Sequence, residues 1–515
     1  MQVSKLFIAF LAVCLPACTT YVNTNDDNVM MLQSTDVINP SDLSPGTPAI
    51  ARWTSMPFVT HNEEFRVEIS AYHSSGIYGV LFAFNGTTTW VTEKTADEAG
   101  YYEYALNVKA GTLDPGQYEV TAVVVPYDGK QLRLEGRDYS YENVKNGYNS
   151  FRFNVGSGNG SAIGASTRTV TVGTGADYPT VSAAVAAEGR PLTHGGTILL
   201  TAEDHLLDMP RIDNDGYLLT IDGQGAASLS NPGGLQRGQR NSSYRFTDLT
   251  FNLDLTKTRF LNGTRDARCV IERCNVIGAD PIDGFARDVQ ILGKSYAGDI
   301  NYGLFIKDVN FRYVWKGMNG VTTAKRVSFD KTTGDAFGGS PGAVIDCTVV
   351  RAVKDERFHG QHCDLVQYSD AYSISNRIVA DLFAPRHSSQ IGHMSGVGFA
   401  SDMAFVNWII DCRTATNQSN GFNLIDTDNL LVENVTLIGG QFVWRDRYHT
   451  NITVRNTLMR NQTGLESDPP IFDEGADINI RFTRRMARDW GAGCTLGPVI
   501  IYDDYSWAPI EDINN

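Results

Sequence analysis

An internal repeat in the second half of the chain constrains the fold more than any other feature. Several segments share a polar or small residue that is followed by alternating apolar positions. The last two repeat steps, 412 to 434 and 434 to 456, are 22 residues each, which is about one coil of a β-helix. Such a phase predicts a solenoid of parallel strands in which side chains at one turn stack along the axis. The aligned residues are Asp248, Cys274, Asp308, Arg326, Cys347, Asn376, Cys412, Asn434 and Asn456.

The same phase indicates where coils are enlarged. The interval from Cys347 to Asn376 is 29 residues, and the interval from Asn376 to Cys412 is 36 residues. The second interval corresponds either to one enlarged coil or to a coil plus a partial coil. Insertions in solenoids collect as loops on one face and usually line the binding groove. Because both enlarged coils carry His and Arg, we expect a groove at this place.

The first half of the chain has a different pattern. Short alternating strands separated by turn residues run from 51 to 155 and predict a small β-sandwich, and Gly and Ser dominate 156–166. The segment LDPGQYEVTAVVVPYDGK resembles the late strands of bacterial immunoglobulin-like or fibronectin-III-like modules. The predicted organisation is therefore a sandwich at 51–155, a linker at 156–166 and a β-helix at 167–515.

The N-terminus has the layout of an export signal. Lys5 precedes the apolar run LFIAFLAV, and Leu15-Pro16-Ala17-Cys18 resembles the bacterial lipobox. The resemblance implies a lipoprotein signal peptide at 1–17, a diacylated Cys18 and a flexible tether at 18–50. Thr19 after the cysteine is similar to lipoproteins that are sorted to an outer membrane. We expect an exported bacterial protein that is lipid-anchored to the outer membrane or cell surface.

Charge and cysteine spacing narrow the range of partners. The formal net charge of -15 argues against nucleic acid, which is bound by clustered Lys and Arg. An acidic polysaccharide would need a local basic patch. No CxxC pair occurs, which argues against a zinc site. We expect a monomer whose partners are a polysaccharide and, through its lipid, a membrane.

The segment after the linker, TRTVTVGTGADYPTVSAAVAAEGRPLTHGGTILLTAEDHLLD, resembles the start of pectin-lyase-like right-handed parallel β-helices. The resemblance implies an all-β fold with a first strand, a turn at Asp177-Tyr178-Pro179 and a short capping helix at 181–187. It also implies an enzyme of the polysaccharide lyase or depolymerase type. Fold alone cannot choose among the functions that β-helices carry.

The candidate catalytic residues cluster at 351–367, RAVKDERFHGQHCDLVQ. Within it, His362-x-Asp364-x-x-Gln367 is similar to HxDxxQ segments of exported β-helix proteins thought to act on polysaccharides. On a strand, His362 and Asp364 would project from the same face, and a carboxylate beside an imidazole raises its basicity. Lys354 and His359 lie in the same segment.

This inventory favours β-elimination on a uronic-acid polysaccharide. Arg386 or Arg445, with or without a divalent cation such as calcium, would neutralise the C5 carboxylate. Lys354, His359 or His362 would be the base for the C5 proton, and a histidine or Tyr448 would be the acid. The remaining candidates are His387 for catalysis and, for substrate binding, Asp335, Gln367, Arg445, Trp444, Tyr448 and His449.

Two alternatives stay open. Asp335 lies one coil before Asp364 in a comparable place, and paired carboxylates suit a glycoside hydrolase. A non-catalytic glycan-binding or adhesive solenoid is the second alternative. Elimination gives an unsaturated product that absorbs in the ultraviolet, whereas hydrolysis gives only reducing ends.

Overall fold

A computed structural model describes much of the chain between residues 37 and 501. The described residues are 37–38, 49–73, 75–97, 100, 102–137, 149–156, 168–188, 192, 195–206, 216–230, 243–252, 268–278, 291–292, 304–314, 318–319, 321–332, 336–338, 342–350, 364–368, 372–374, 377–379, 390–395, 403–406, 409–411, 420–425, 428–433, 436–445, 448–463, 471–472, 477–482 and 500–501. Beyond residue 350, the described side chains are those of 405–406 and 431–432.

The chain divides into two compact units, Met1–Val37 and Ile38–Asn515. The first part of the larger unit consists of short strands and one 3-10 turn, Ala110–Thr112. The strands up to residue 155 are β1 (Val37–Ile38), β2 (Ile50–Trp53), β3 (Thr60–His61), β4 (Glu64–Tyr72), β5 (Ile77–Phe84), β6 (Thr87–Val91), β7 (Thr95–Ala96), β8 (Tyr102–Lys109), β9 (Gly116–Pro126), β10 (Gln131–Leu134) and β11 (Phe151–Val155).

Two sheets pack face to face in this part, which we call the sandwich. One has the order β2-β4-β8-β7; the other contains β10-β9-β11-β3, with β5 on β9 and β6 on β5. Alternate side chains of both sheets enter one core that includes Val67, Val80, Phe82 and Phe151. Because strand side chains alternate between faces, this shared core is the arrangement of a β-sandwich.

The second part contains one helix and a long series of strands. The helix α1 (Val181–Glu188) stands where the sequence predicts a capping helix. The strands are β12 (Thr169–Val172), β13 (Thr197–Leu200), β14 (Asp204–Leu206), β15 (Leu219–Asp222), β16 (Ser228–Ser230), β17 (Ser243–Thr247), β18 (Thr250–Asn252), β19 (Arg268–Ile277), β20 (Ile291–Leu292), β21 (Leu304–Val314), β22 (Met318–Asn319), β23 (Thr323–Lys325), β24 (Ser328–Thr332), β25 (Phe337–Gly338), β26 (Ala343–Ile345), β27 (Thr348–Val350), β28 (Asp364–Tyr368), β29 (Tyr372–Ile374), β30 (Arg377–Val379), β31 (Gln390–Ser395), β32 (Met403–Val406), β33 (Ile409–Asp411), β34 (Asn420–Ile425), β35 (Asp428–Glu433), β36 (Thr436–Arg445), β37 (Tyr448–Thr463), β38 (Ile471–Phe472), β39 (Asp477–Phe482) and β40 (Ile500–Ile501).

These strands pair in parallel and form three columns. We call a series of residues that pair with one another from strand to strand a register line. The first column contains the register line Val170, Ile198, Ile221, Phe246, Ile271, Ile306, Ala324, Val344, Ser373, Phe405, Val432, Val454 and Ile478. The second follows Leu229, Phe251, Val276, Phe311, Phe329, Val349, Ile378, Ile410, Leu437 and Met459. The third follows Ile291, Met318, Phe337, Val366, Gly392, Phe422, Phe442 and Gln462. Up to residue 349, the described side chains of the first two lines are buried and form the core. The long parallel sheet is compatible with a β-helix solenoid.

The turn between the first and second columns repeats one backbone conformation. Asp248, Arg273, Asp308, Arg326 and Asp346 all have a left-handed φ between 46° and 53°. Their charges alternate along the sheet, and neighbours bond: Arg273 Nε donates to Asp248 Oδ1 at 2.8 Å, and Arg326 Nη2 donates to Asp308 Oδ2 at 2.5 Å. The turn is therefore a ladder of acidic and basic residues.

The structure corrects the predicted alignment of the repeat at several places. The pairings of Arg377 with Ile409 and of Ile409 with Thr436 give steps of 32 and 27 residues (377, 409, 436), where the alignment through Cys412 predicted 36 and 22. The ladder shifts the alignment by one residue at Cys274 and Cys347. Cys274 and Cys347 do not share the turn position of Asp248, because the left-handed residues there are Arg273 and Asp346. Cys274 instead pairs with Val309, and the thiols of Cys274 and Cys347 are both buried. The small thiol fills the first core position after the turn, while the charged residue before it takes the solvent-facing corner.

The sandwich packs on the outer side of the first column. Ile50 and Tyr72 contact the cluster of Ala343, Ile345 and Val406. Further along, Met56 and Val59 contact Val270 and Phe305. The backbone N–H of Thr60 also donates to Gly216 O at 3.0 Å. These contacts explain why the outward positions of first-column strands are apolar there, since burial of that surface is favourable.

A buried ion-pair cluster lies in the same interface. Lys325, with 0% of its side chain exposed, places Nζ 2.9 Å from Glu103 Oε1 and 3.8 Å from Glu68 Oε2. Glu68 also pairs with Lys307 at 3.6 Å and with Arg66 at 3.0 Å. Burial lowers the pKa of Lys325 and raises the pKa of Glu103, and their mutual attraction offsets part of each shift. The cluster joins the sandwich to the parallel sheet by charge as well as by apolar packing.

Within the described residues, no helix has the length and apolar character needed to cross a membrane.

Candidate functional site

Four of the thirteen predicted site residues lie on strands of the third column. Asp364 and Gln367 belong to β28, and Trp444 and Arg445 end β36. These are described by their backbone. Seven predicted residues lie outside the described part of the chain: Cys18, Asp335, Lys354, His359, His362, Arg386 and His387.

The backbone register brings a line of polar residues together in the third column. Asp364 pairs with Gln390, Gln390 with Asn420, and Asn420 with Gln441. Gln441 in turn pairs with Asn461. Neighbouring strands are about 4.8 Å apart, so these five positions span about 19 Å along the sheet. Four of the five were missed by sequence reasoning, which singled out only Asp364.

A second polar line runs beside the first. Gln367 pairs with His393, and His393 with Asn423. An imidazole residue thus lies between two amide residues, three positions along the strands from the Asp364 line. Positions three apart on a strand belong to opposite faces of the sheet, so the Asp364 and Gln367 lines are two separate surfaces. An amide ladder can stabilise a sheet by bonding along itself.

Trp444 and Arg445 lie in the third column, two strands beyond the strand of His393. Leu424 pairs with Trp444, and Ile425 pairs with Arg445. Two strand spacings amount to about 10 Å, which is within the span of a short oligosaccharide. The predicted aromatic residue and the predicted cation therefore belong to the same column as Asp364 and Gln367.

Tyr448 and His449 do not lie in the third column. They open β37 and pair with Ile471 and Phe472 of β38. Two residues after Tyr448, Thr450 already pairs with Asp428 in the first column. The chain turns from the third column to the first after Arg445, so these two residues stand at the edge of the predicted groove.

The third column combines apolar and polar register lines. Its line through Phe337, Val366, Gly392, Phe422 and Phe442 is apolar, like the lines given above for the first and second columns. The Asp364 and Gln367 lines of the third column are almost wholly polar. Irregular spacing hid the Asp364 line in the sequence, because its steps are 26, 30, 21 and 20 residues (364, 390, 420, 441, 461).

A separate cavity of about 300 Å³ lies between the sandwich and the parallel sheet. None of the predicted site residues lines it. On the sandwich side it is lined by His61, Phe65 and Arg66, and on the sheet side by Arg245 and Arg273, among others. This volume is at the lower end of ligand pockets.

Paired charges and a neutral imidazole characterise this cavity. Arg245 pairs with Glu272 at 2.6 Å, and Arg273 bonds to Asp248, whose pKa is lowered mainly by that bond. Burial lowers the pKa of His61 to about 3, and its Nε2 has no hydrogen-bond partner among the described residues. These arginines are therefore paired with carboxylates, and His61 is uncharged near neutral pH.

No group of three or more His, Cys, Asp or Glu side chains is arranged to hold a metal ion in the part of the chain whose side chains are described. The predicted calcium role concerns Arg386 or Arg445, and both side chains lie outside that part.

Comparison with known proteins gives no assignment. No family model, no curated protein and no solved structure matches the chain.

Proposed function

We propose that the chain is an exported polysaccharide-degrading enzyme built on a right-handed parallel β-helix, and that it cleaves a uronic-acid-containing polysaccharide by β-elimination. The observation that carries the proposal is the polar register line of the third column that runs from Asp364 to Asn461. It lies on and next to the enlarged repeats that carry the candidate His, Lys and Arg residues.

The length of this surface suits a polymer. The Asp364 line spans about 19 Å, which accommodates about four sugar units at roughly one unit per strand spacing. Amide and carboxylate side chains bond to sugar hydroxyls, and Trp444 offers a ring face for stacking. Arg445 lies in the same column, on a strand three pairings beyond the strand of Asp364.

The chemistry assigns each candidate residue a role in one elimination. Arg386 or Arg445, alone or with a divalent cation such as calcium, neutralises the C5 carboxylate and so makes the C5 proton more acidic. Lys354, His359 or His362 removes that proton as general base, and Asp364 raises the basicity of His362. The C4–O bond then breaks, a C4=C5 double bond forms, and His387 or Tyr448 gives a proton to the leaving oxygen.

The test uses the purified full chain on acidic and neutral polysaccharides, with ultraviolet absorbance and reducing ends followed together. We expect both signals to rise in parallel on a uronic-acid polymer. His362→Ala and Arg386→Ala should each lower the rate by at least about a hundredfold, as loss of an acid–base or charge-stabilising group does. Arg133→Ala, in the sandwich, is the matched control and should keep the rate. Full activity in both site variants would refute the placement of the site.

A glycoside hydrolase is the second candidate, and one register supports it. Phe337 pairs with Val366, and each is preceded two residues earlier by an aspartate, Asp335 and Asp364. A hydrolase would release reducing ends without ultraviolet absorbance, and Asp335→Asn and Asp364→Asn would each abolish it. If neither product appears but glycans still bind, the chain is an adhesive solenoid.

The lipobox at Leu15–Cys18 supports the cellular part of the proposal. We propose that Cys18 carries the lipid and that the protein is held at the outer membrane or cell surface of a bacterium. Cys18→Ala should move the protein from the membrane fraction to the soluble fraction, and incorporation of labelled palmitate should be lost with it.

A further inference from the structure

Three aromatic rings meet on the surface of the sandwich. The Tyr78 ring lies 5.7 Å from the Trp90 ring at 46° and 5.5 Å from the Tyr127 ring at 80°, measured between centroids. Tyr127 is 69% exposed and Tyr78 is 38% exposed, although large aromatic side chains usually supply core area. We call these three residues the aromatic patch.

The backbone around the patch is shaped to present these rings. A Cβ added at Gly79 would lie 2.9 Å from Trp90 Cζ2, so only glycine lets the indole lie across β5. Gly76 has a φ of +85°, and a Cβ there would come within 3.2 Å of the Tyr127 ring. The ring positions therefore depend on two glycines.

Hydrogen bonds hold the turn that carries Tyr127. The Tyr127 N–H donates to Gly76 O at 3.2 Å, and the Asp128 N–H donates to Ser75 Oγ at 2.9 Å. Ser75 Oγ in turn donates to Asp128 O at 3.0 Å. Two neighbouring turns are thus tied together, and the exposed tyrosine is held in place before any ligand arrives, which lowers the entropic cost of binding.

The size of the patch selects the kind of ligand. The exposed fractions of Tyr127 and Tyr78 together amount to about one tyrosine side chain, on the order of 200 Å². A stable protein interface buries about 800 Å² on each partner, so the patch is several times too small for one. One or two sugar rings match it, because the C–H face of a pyranose stacks on the negative face of an aromatic ring while its hydroxyls bond at the edge.

The patch is also open. The described contacts between the sandwich and the parallel sheet come from β2, β3, β4 and β8 and from the segments that follow β2, β7 and β11. The aromatic patch lies on β5, on β6 and directly after β9. Docking on the parallel sheet therefore leaves these rings accessible.

We infer that the aromatic patch of Tyr78, Trp90 and Tyr127 is a glycan-binding site of the sandwich, which holds a polysaccharide near the third column. This inference rests on the proposed function for the identity of the polymer. Such a site binds the same chain that is degraded and raises its local concentration without taking part in the chemistry.

The test measures depletion of the full chain from solution by calcium-gelled polygalacturonate, cellulose and chitin particles. We expect binding to at least one of the three, and we expect Tyr127→Ala and Tyr78→Ala each to weaken it about tenfold. Tyr127→Phe keeps the ring and should keep the binding. Tyr102→Ala is the matched control, because Tyr102 is 67% exposed and lies on β8 in the other sheet.

Cleavage of short soluble oligosaccharides is measured on the same variants and separates the two proposals. Tyr127→Ala should cleave them at the wild-type rate. Particle binding through Tyr127 without any cleavage would refute the enzyme and keep the glycan site. Equal binding by Tyr127→Ala and Tyr102→Ala, or no binding to any of the particles, would overturn the glycan site.

Discussion

Replacing Lys325 with methionine is expected to destabilise the protein by about 3–5 kcal/mol, because it removes one partner of a buried ion pair. At 2.9 Å, the attraction between Nζ and Glu103 Oε1 is about 6 kcal/mol at an effective dielectric constant of about 20. Desolvation of both groups offsets most of that gain in the wild type. In the variant the attraction is lost, while Glu103, only 4% exposed, stays buried without this cation.

Urea unfolding at pH 7, followed by tryptophan fluorescence, measures the effect. The double variant Lys325→Met/Glu103→Gln should recover most of the loss, since a neutral pair of similar volume costs little. Arg137→Met is the control for charge removal. Its pair with Glu119 is 3.5 Å long, and Arg137 is exposed, so it should cost less than about 1 kcal/mol.

The pH dependence gives a second check on the same pair. The pKa of Glu103 is raised in the folded state, so its contribution to stability is present below pH 4.5 and is lost as pH rises through the folded pKa. At pH 4, therefore, Glu103 is mostly protonated and needs no cation, and Lys325→Met should cost less than at pH 7. A cost at pH 7 no larger than that of Arg137→Met, or a larger cost at pH 4, would refute the buried pair.

Two further predictions concern the parallel sheet. Asp346→Val should lower the free energy of unfolding by about 1–2 kcal/mol, because a β-branched residue does not tolerate the φ of 53°. Asp346→Asn, the control, should change it by no more than about 0.5 kcal/mol. Equal losses for the two variants in urea unfolding would contradict the turn conformation. Bonds from Thr174 N–H and the hydroxyls of Thr174 and Thr201 lower the pKa of Glu203 below 4.5, so its stabilisation is present above pH 4.5 and is lost as pH falls through the folded pKa. Melting temperature should therefore fall more steeply below pH 4.5 in the wild type than in Glu203→Gln, and parallel curves would contradict these bonds.

The strands were predictable from the sequence because side chains in a strand alternate between two faces, so that apolar and polar residues alternate along the chain. Segments such as ERCNVIG and IDCTVVRA gave the strands and their parallel repetition. The turn position was wrong by one residue at Cys274 and Cys347. A polar turn residue and a small core residue stand side by side there, and the sequence alone does not say which of the two adopts the left-handed conformation.

No comparable sequence pattern predicts the packing of the sandwich on the parallel sheet. Ile345 and Val406 have the residue types of any strand core, yet they are outward positions covered by Ile50 and Tyr72. Lys325, in AKRVSFD, has the residue type of a solvated surface position, yet it is fully buried. Such contacts join residues more than 200 positions apart, so no local pattern carries them.

The candidate site was only partly predictable for a related reason. Asp364 and Gln367 were predicted as site residues because they lie in a segment rich in polar residues. Their partners Gln390 and His393 depend on the register between strands. That register cannot be predicted by counting residues, because the connections between successive strands differ in length. Tyr448 was placed in the groove by nearness in sequence to Arg445, but the chain has already left the third column there.

The docked sandwich changes what a second glycan site would do. Its described contacts fall on the first column, for example at Phe305, Lys325 and Ile345, and the polar lines lie in the third. Both surfaces therefore belong to one compact unit. In a flexibly linked module, effective concentration falls as the linker lengthens, but here the interface fixes the separation and orientation of the two surfaces. The aromatic patch would consequently favour glycan chains long enough to span the fixed separation between Tyr127 and the third column, because the buried Lys325–Glu103 pair helps to hold the sandwich in place.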